Sequence, residues 1–292
     1  MIDLNTLLLQ APELNASDLF VSAAKPPAYR IRGEIVSADS MQLYSGIPIG
    51  TAQPSAEELA RVPHHLVGCF DFSEKIDVYR YVELADRAIA GIAGRGKTPV
   101  VVGGTGFYLK SLLYGLDQLP GDDKLRAELD ARFDSDEAFD ALREEMARLD
   151  PAGLERWRDC RRKLIRALEV RLLTGKSILD LQSGPRPLRY QADAQVLDWP
   201  PEVLRNRIVE RCDRMLAAGW IEEGRAAIAR GILESPTAHQ ALGYKLIDLF
   251  LKNELTFEEL RFKLIAQTGQ YARRQRTWFR HQHPEARFIA MA

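Results

Sequence analysis

Apolar and polar positions fall into two textures along the chain. From residue 34 to about 118, short apolar runs alternate with amphipathic stretches. Ile35-Val36 is a short apolar run that ends in a small polar cluster, Ser37-Ala38-Asp39-Ser40. Val78, Val82, Ala85, Ile89 and Ile92 recur at helical spacing and predict a helix from Val78 to Ala93. Thr98-Pro-Val-Val-Val reads as a buried strand, Gly103-Gly-Thr-Gly as a tight turn, and Tyr108 to Tyr114 as the start of the next helix. From about 119 to 196 the pattern is helical and highly charged: Asp123 to Phe133, Asp136 to Leu149, and Arg161 to Thr174 with Gly175 as its stop. Gly184-Pro-Arg-Pro-Leu marks a loop, and Gln195-Val-Leu-Asp returns to a short strand. Helices are expected again over Glu202 to Ala218, Ile221 to Arg230, Thr237 to Lys252 and Thr256 to His281. Strands alternating with helices predict an α/β core, in which ligands sit at the carboxyl ends of strands. Asp39 falls at such an end.

Residues 1 to about 32 read as a separate piece. Leu4, Leu7 and Leu8 suggest a short helix, Asn15 to Ser22 a cap and a strand, and Lys25-Pro-Pro a turn leading to another strand. Composition then narrows the class. With 292 residues, 46% apolar and 28% charged, the chain can bury a sizeable core in one or two domains. No apolar run approaches the ~18 residues of a membrane span, and Met1 to Phe20 carries acids and no basic residue, unlike a secretory signal. Cys69, Cys160 and Cys212 have no metal-ligand spacing and read as reduced thiols. A net charge of −1 argues against a generic nucleic-acid coat. Two local basic stripes nevertheless fit a phosphate-backbone footprint: Arg156 to Lys176, and Arg261 to Arg280.

Gly91-Ile-Ala-Gly-Arg-Gly-Lys-Thr98 matches a phosphate-loop pattern by letter. Its context is reversed: a helix precedes it, and Pro99 and a strand follow it, so no helix N-terminus faces a phosphate. Gly103-Gly-Thr-Gly-Phe-Tyr has the right context, strand then turn then helix, and Thr105 offers a hydroxyl there.

Several blocks occur in order between residues 33 and 283. They are Gly33 to Pro54, Val102 to Tyr108, Arg162-Lys-Leu-Ile-Arg166, Arg207 to Met215, Ala241-Leu-Gly-Tyr-Lys245, and Thr268 to Arg280. Together they resemble the tRNA dimethylallyltransferases, or isopentenyl-diphosphate:tRNA transferases. The resemblance implies an α/β fold with a nucleoside-triphosphatase-like parallel sheet, spanning 34–118 and 197–292, and an all-helical insertion, 119–196, that contacts tRNA. It implies transfer of a dimethylallyl group from dimethylallyl diphosphate to N6 of the adenosine 3′ of the anticodon, with Mg²⁺, in a monomeric cytoplasmic enzyme away from membranes. Asp39 and Thr105 would be catalytic and Arg211 would bind the diphosphate. Contacts to the anticodon stem-loop would come from Asp39, Ser40, Met41, Gln42, Arg126, Arg162, Lys163, Leu164, Ile165, Arg166, Gln240, Gly243, Tyr244, Lys245, Arg273, Arg274, Gln275, Arg276, Thr277, Trp278, Phe279 and Arg280. His281 and His283 are read as surface residues.

The chain departs from the family in places. Lys163 replaces a usual Arg, and Gly269 replaces another. The largest departure precedes Glu34, where the family has a strand and a phosphate loop. Here residues 1–32 instead resemble the N-terminal segment of pilus-retraction ATPases, at Ala16 to Leu19, Pro26-Pro27 and Arg30 to Glu34. A missing first strand predicts an open sheet edge, and a missing loop predicts impaired turnover, since removing one oxyanion donor costs ~10²–10³ in rate. Lys25, Arg30 and Arg32 are the residues available to replace the loop. Alternatives are a non-catalytic tRNA-binding relic, an adenylate isopentenyltransferase, or a chimeric frame with an accessory role near pilus machinery.

Overall fold

The computed structural model describes residues 33–182, 184, 186–283 and 285–291, and residues 19–23 through their backbone pairing. The expected helix at Leu4 to Leu8, the Lys25-Pro-Pro turn, and Lys25, Arg30 and Arg32 lie outside the described residues. In chain order the elements begin with β1 (Leu19–Ala23), β2 (Gly33–Ser37), α1 (Ala56–Arg61), β3 (His64–His65), α2 (Val78–Gly94), β4 (Thr98–Gly103) and α3 (Gly106–Tyr114). Then come α4 (Asp123–Arg132), α5 (Asp136–Leu149), α6 (Pro151–Trp157), α7 (Arg161–Thr174), α8 (Ile178–Leu181) and β5 (Ala192–Asp198). The chain closes with α9 (Pro201–Ala217), α10 (Trp220–Ala229), α11 (Tyr244–Leu251), α12 (Phe257–Gln282) and β6 (Arg287–Ala290). It divides into two compact units, residues 1–114 with 188–292, and residues 115–187.

The first unit is built on a six-stranded sheet of order β3-β2-β4-β1-β5-β6. β2 is parallel to β3 and β4, and β5 is parallel to β6. β1 pairs antiparallel with both β4 and β5. The expected parallel core is present in β3-β2-β4 and β5-β6; what differs is the expected open edge, because β1 fills the position between β4 and β5, in the opposite direction. Chain length explains the direction. Only nine residues, 24–32, separate β1 from β2, whereas a parallel crossover takes a dozen or more. Running antiparallel brings the last residues of β1 to the end of the sheet at which β2 begins. The main core lies between this sheet and its helices and includes Val36, Leu43, Tyr44, Phe72, Tyr81, Val101, Leu109 and Phe279, all close to fully buried.

Local chemistry sets the helix limits. Asp77 caps α2 by accepting the Arg80 N–H at 2.9 Å, and Thr256 with Glu259 forms a reciprocal capping box at the start of α12. The continuous helix expected over Thr237 to Lys252 is broken. A 3₁₀ turn covers Ala238–Gln240, and α11 starts only at Tyr244. Gly243 interrupts it at φ +93°, where a Cβ would meet the Trp220 ring at 2.5 Å.

The helical unit has its own core of Leu129, Phe133, Leu142, Met146, Leu164, Ile165 and Leu168. Glu169, 1% exposed, is its polar hub. It accepts the Asp122 N–H at 2.9 Å and pairs with Arg166 at 2.7 Å and with Arg126.

A second buried carboxylate, Glu34 on β2, gathers the basic residues of the false phosphate loop. It is 3% exposed and contacts Arg95 and Lys97 at 2.6 Å each and His65 at 2.7 Å. Those partners, Lys97 first, hold its pKa down at about 2. Because the folded value lies below the ordinary 4.5, this contribution is complete above about pH 4.5 and disappears as pH falls towards 2. Glu34→Gln is expected to cost about 1–3 kcal/mol at neutral pH and to flatten the acid limb between pH 4.5 and 2. Urea denaturation at several pH values measures both; an unchanged acid limb contradicts the assignment.

Candidate functional site

The site begins where β2 and β4 end side by side. The Ala38 N–H donates to the Val102 carbonyl at 2.7 Å, and the Thr105 N–H donates back to the Ala38 carbonyl at 3.1 Å. Such closeness requires glycine at 103, because a Cβ there would sit 2.3 Å from the Ala38 carbonyl carbon. Past this crossing the chain turns sharply. Asp39 Oδ1 accepts the N–H groups of Met41 at 2.8 Å and Gln42 at 3.2 Å, an Asx turn that fixes the carboxylate. The Thr105 hydroxyl does not bond Asp39. It accepts the Ser40 N–H at 2.9 Å and donates to the Ser40 hydroxyl at 3.2 Å, so it pins the residue after the carboxylate.

Asp39 opens into a cavity of about 160 Å³ in the first unit, together with Gly103, Ile208, Arg211, Cys212 and Met215. Among the described residues it is the only carboxylate in that lining, and Arg211, from α9, is the only arginine. Desolvation raises the Asp39 pKa above its ordinary value; the two N–H bonds and the Arg211 charge oppose the rise. A carboxylate with a raised pKa beside one cation can take a proton while an anion departs nearby. Gln42 is committed to the scaffold: its side chain accepts from the Ser37 hydroxyl at 3.0 Å and donates to the Thr51 and Ala52 carbonyls at 3.3 and 3.0 Å.

The remaining sequence candidates separate into exposed and committed groups. In the first unit Gln240, Lys245, Arg273, Arg274 and Thr277 are exposed. Gln240, Lys245 and Arg274 line a surface cavity of about 330 Å³, and Arg273, Arg274, Thr277 and Trp278 line another of about 620 Å³. Gln275 donates to the Gly104 carbonyl at 2.9 Å, tying α12 to the glycine turn. Half-buried Trp278 covers Gly106, where a Cβ would lie 2.2 Å from its ring. In the helical unit Arg162 and Lys163 are exposed.

Other candidates are in the interior or in ion pairs. Leu164, Ile165, Tyr244 and Phe279 are buried core residues, at most 3% exposed, and present no side-chain surface to a nucleic acid. Gly243 is buried under Trp220. Arg126 and Arg166 pair with Glu169, and Arg276 and Arg280 share Asp198, each at 2.9 Å. His283, read as a surface residue, is fully buried, with Nδ1 3.0 Å from Glu285. Sequence reasoning missed Glu223, whose carboxylate binds two loop N–H groups beside the cavity; nothing in its surroundings on α10 distinguishes it from an ordinary acid in a first helical turn.

Comparison with known proteins places this arrangement. Residues 42–282 match the family model described as IPP transferase. A tRNA dimethylallyltransferase of Kocuria rhizophila is 40% identical over 265 residues, covering 90% of this chain and 82% of that protein. The crystal structure of a full-length tRNA isopentenylpyrophosphate transferase from Bacillus halodurans is similar at TM-score 0.60 and 34% identity, over 89% of this chain and 82% of that one. A eukaryotic dimethylallyltransferase acting on tRNA is similar at TM-score 0.67 and 28% identity, over 85% and 63%.

At Gly103 the atoms a side chain would meet are backbone atoms of Ala38, which cannot move aside as a side chain can. Gly103→Ala is expected to cost about 1–3 kcal/mol, because backbone must move. Gly94→Ala, at a helix end with nothing within 4 Å, is expected to be neutral or slightly stabilising. Denaturation midpoints of the two variants test this; equal midpoints contradict it.

Proposed function

As the chain belongs to the IPP transferase family, the tRNA dimethylallyltransferases, we propose that the Asp39 cavity prenylates an adenosine of the anticodon loop. The exocyclic N6 attacks C1 of dimethylallyl diphosphate, the C1–O bond breaks, and its electron pair leaves with pyrophosphate. The proton lost from N6 passes to Asp39. The observation that carries this reading is that half-buried Asp39, just past the end of β2, and Arg211, from α9, line one cavity. Thr105 serves by fixing Ser40, and Arg211 meets the departing diphosphate. The adenosine must leave its stack to reach the cavity. Exposed Gln240, Lys245, Arg273, Arg274 and Thr277, and in the helical unit Arg162 and Lys163, offer contacts to the stem-loop. The named relatives favour tRNA over a free adenylate. We assign the chain as a monomer working in the cytoplasm; no described helix is long and apolar enough to cross a membrane.

Mg²⁺ takes oxygen ligands, usually one or two carboxylates with substrate phosphates and water. Among the described residues no cluster of three His, Cys, Asp or Glu side chains is placed to hold a metal, and Asp39 is needed as the base. The residues present do not form a cage, and the ion would enter with the diphosphate.

Turnover is proposed to be slow. A phosphate loop follows a strand and opens a helix. Between β4 and β5 the strand runs the other way, so its start at Leu19, not its end, lies opposite Gly103. That geometry also supports a second reading, a chain that grips tRNA without modifying it.

Transfer of labelled dimethylallyl from its diphosphate to an anticodon stem-loop, with Mg²⁺, tests the assignment. Slow transfer is expected, with an acid limb whose midpoint lies above the ordinary carboxylate value, because only ionised Asp39 accepts a proton. Asp39→Asn should keep the turn and lower transfer by about 10²–10⁴. Transfer unaffected by that substitution contradicts the role of Asp39. No transfer with retained stem-loop binding supports the second reading.

A further inference from the structure

We propose that Glu223 is a positioning residue for Asp39, acting through the loop 49–52; the inference rests on the role given to Asp39 above. Glu223 is a half-buried acid in the first turn of α10, where a carboxylate normally meets its own helix terminus or water. Here both oxygens are used on other elements. Oε2 accepts the Ile49 N–H at 2.7 Å, and Oε1 accepts the Gly50 N–H at 2.8 Å and the Tyr244 hydroxyl at 2.7 Å. Two successive backbone N–H groups on one carboxylate fix both the position and the orientation of the peptide plane between them.

The clamped loop has no slack. A Cβ on Gly50 would meet Trp220 Nε1 at 2.2 Å and the Tyr244 oxygen at 2.3 Å. Two residues on, Ala52 is held at φ +48°, a conformation that a non-glycine residue adopts only under external constraint. Gly50, Thr51 and Ala52 line the same cavity as Asp39.

The link onward to Asp39 runs through one side chain. The carbonyls of Thr51 and Ala52 accept both bonds of the Gln42 amide nitrogen. The Gln42 N–H in turn donates to Asp39 Oδ1. Glu223, the loop backbone, Gln42 and Asp39 are thus linked in series, by hydrogen bonds at each end of the loop and by its backbone between. With Glu223 intact, the loop carbonyls are presented at the spacing Gln42 needs, and Gln42 holds its N–H against the carboxylate. Loss of the clamp leaves the loop its internal bonds, such as Ala52 N–H to the Ile49 carbonyl at 3.0 Å, so that it shifts as a unit, admits water to the cavity and lets the carboxylate rotate.

The test uses the full chain and two variants, Glu223→Gln and Tyr244→Phe, with readouts that do not depend on turnover. Gln offers one acceptor and turns an NH₂ towards a backbone N–H, so the clamp is lost with little change in volume. Phe removes one donor and leaves both backbone bonds in place. The first readout is amide hydrogen exchange. Glu223→Gln is expected to raise exchange tenfold or more at Ile49 and Gly50 and at Met41 and Gln42, with the amides of α5 and α7 unchanged. The second is the pH midpoint of the Asp39 carboxyl followed by ¹³C NMR, expected to fall towards the ordinary carboxylate value, because water entering the cavity relieves desolvation, the largest influence on that group and larger than the loss of the Gln42 N–H bond. Tyr244→Phe is expected to leave both close to the parent. Increased exchange confined to 49–53, with Met41, Gln42 and the Asp39 midpoint unmoved, overturns the proposal and leaves a merely structural clamp. An increase spread evenly over the chain overturns it too. If transfer is measurable, kcat should fall by about tenfold in Glu223→Gln with the stem-loop KM unchanged; loss of Asp39 function in the parent would refute the assigned reaction without moving the two physical readouts.

Discussion

The parallel approach of β2 and β4 at their carboxyl ends is the constraint on which the site depends. Gly103 lies on the backbone of Ala38 with no room for a side chain. This contact forces both strands to stop together and to turn away in different directions. One turn carries Asp39 and closes on its own N–H groups; the other carries Thr105 and enters α3. Helix α12 then reaches the second turn through Gln275 and covers it with Trp278. The acid, its support and its cover are therefore arranged around a single backbone crossing rather than by a set of independent contacts.

Charge is distributed by the same economy of position. The chain is nearly neutral, and many arginines of its basic stripes are neutralised at home. Asp198 takes Arg276 and Arg280, Asp213 takes Arg261, and Glu169 takes Arg126 and Arg166. Among the described residues the stripes still expose Lys263, Arg273 and Arg274 in the first unit and Arg156, Arg158, Arg162, Lys163 and Lys176 in the helical one. Each phosphate contact these exposed cations make would tighten nucleic-acid binding and make it more salt-dependent.

Apolar patterning made most helices, and the strands β2 and β4, readable to within one or two residues, because burial leaves a direct mark on residue type; β5 starts three residues before its expected Gln195. The Asp39 turn was legible for a related reason: a small polar cluster at the end of an apolar strand has few structural uses. Three things were not legible. The break at Gly243 depends on the Trp220 ring, which is remote in sequence. The direction of β1 follows from the length of its connection, not from its composition. Glu34 and Glu223 look like ordinary surface acids, and only tertiary contacts show that one collects three bases and the other two loop amides. The basic stripes misled in the opposite sense, because sequence shows a charge and not its partner.

The antiparallel β1 separates two properties that a complete site would join. Asp39, the proposed base, follows the end of β2, whereas at β1, the strand on the other side of β4, the start and not the end lies opposite Gly103, so the proposed diphosphate ligand Arg211 works without that strand end. Equilibrium binding of the two substrates to the full chain tests this account most directly. It predicts saturable binding of an anticodon stem-loop at low salt, weakening steadily as salt rises, and no saturable binding of dimethylallyl diphosphate below about 1 mM, a free energy of about −4 kcal/mol. Micromolar binding of the diphosphate would contradict it and would mean that a full phosphate cradle is present.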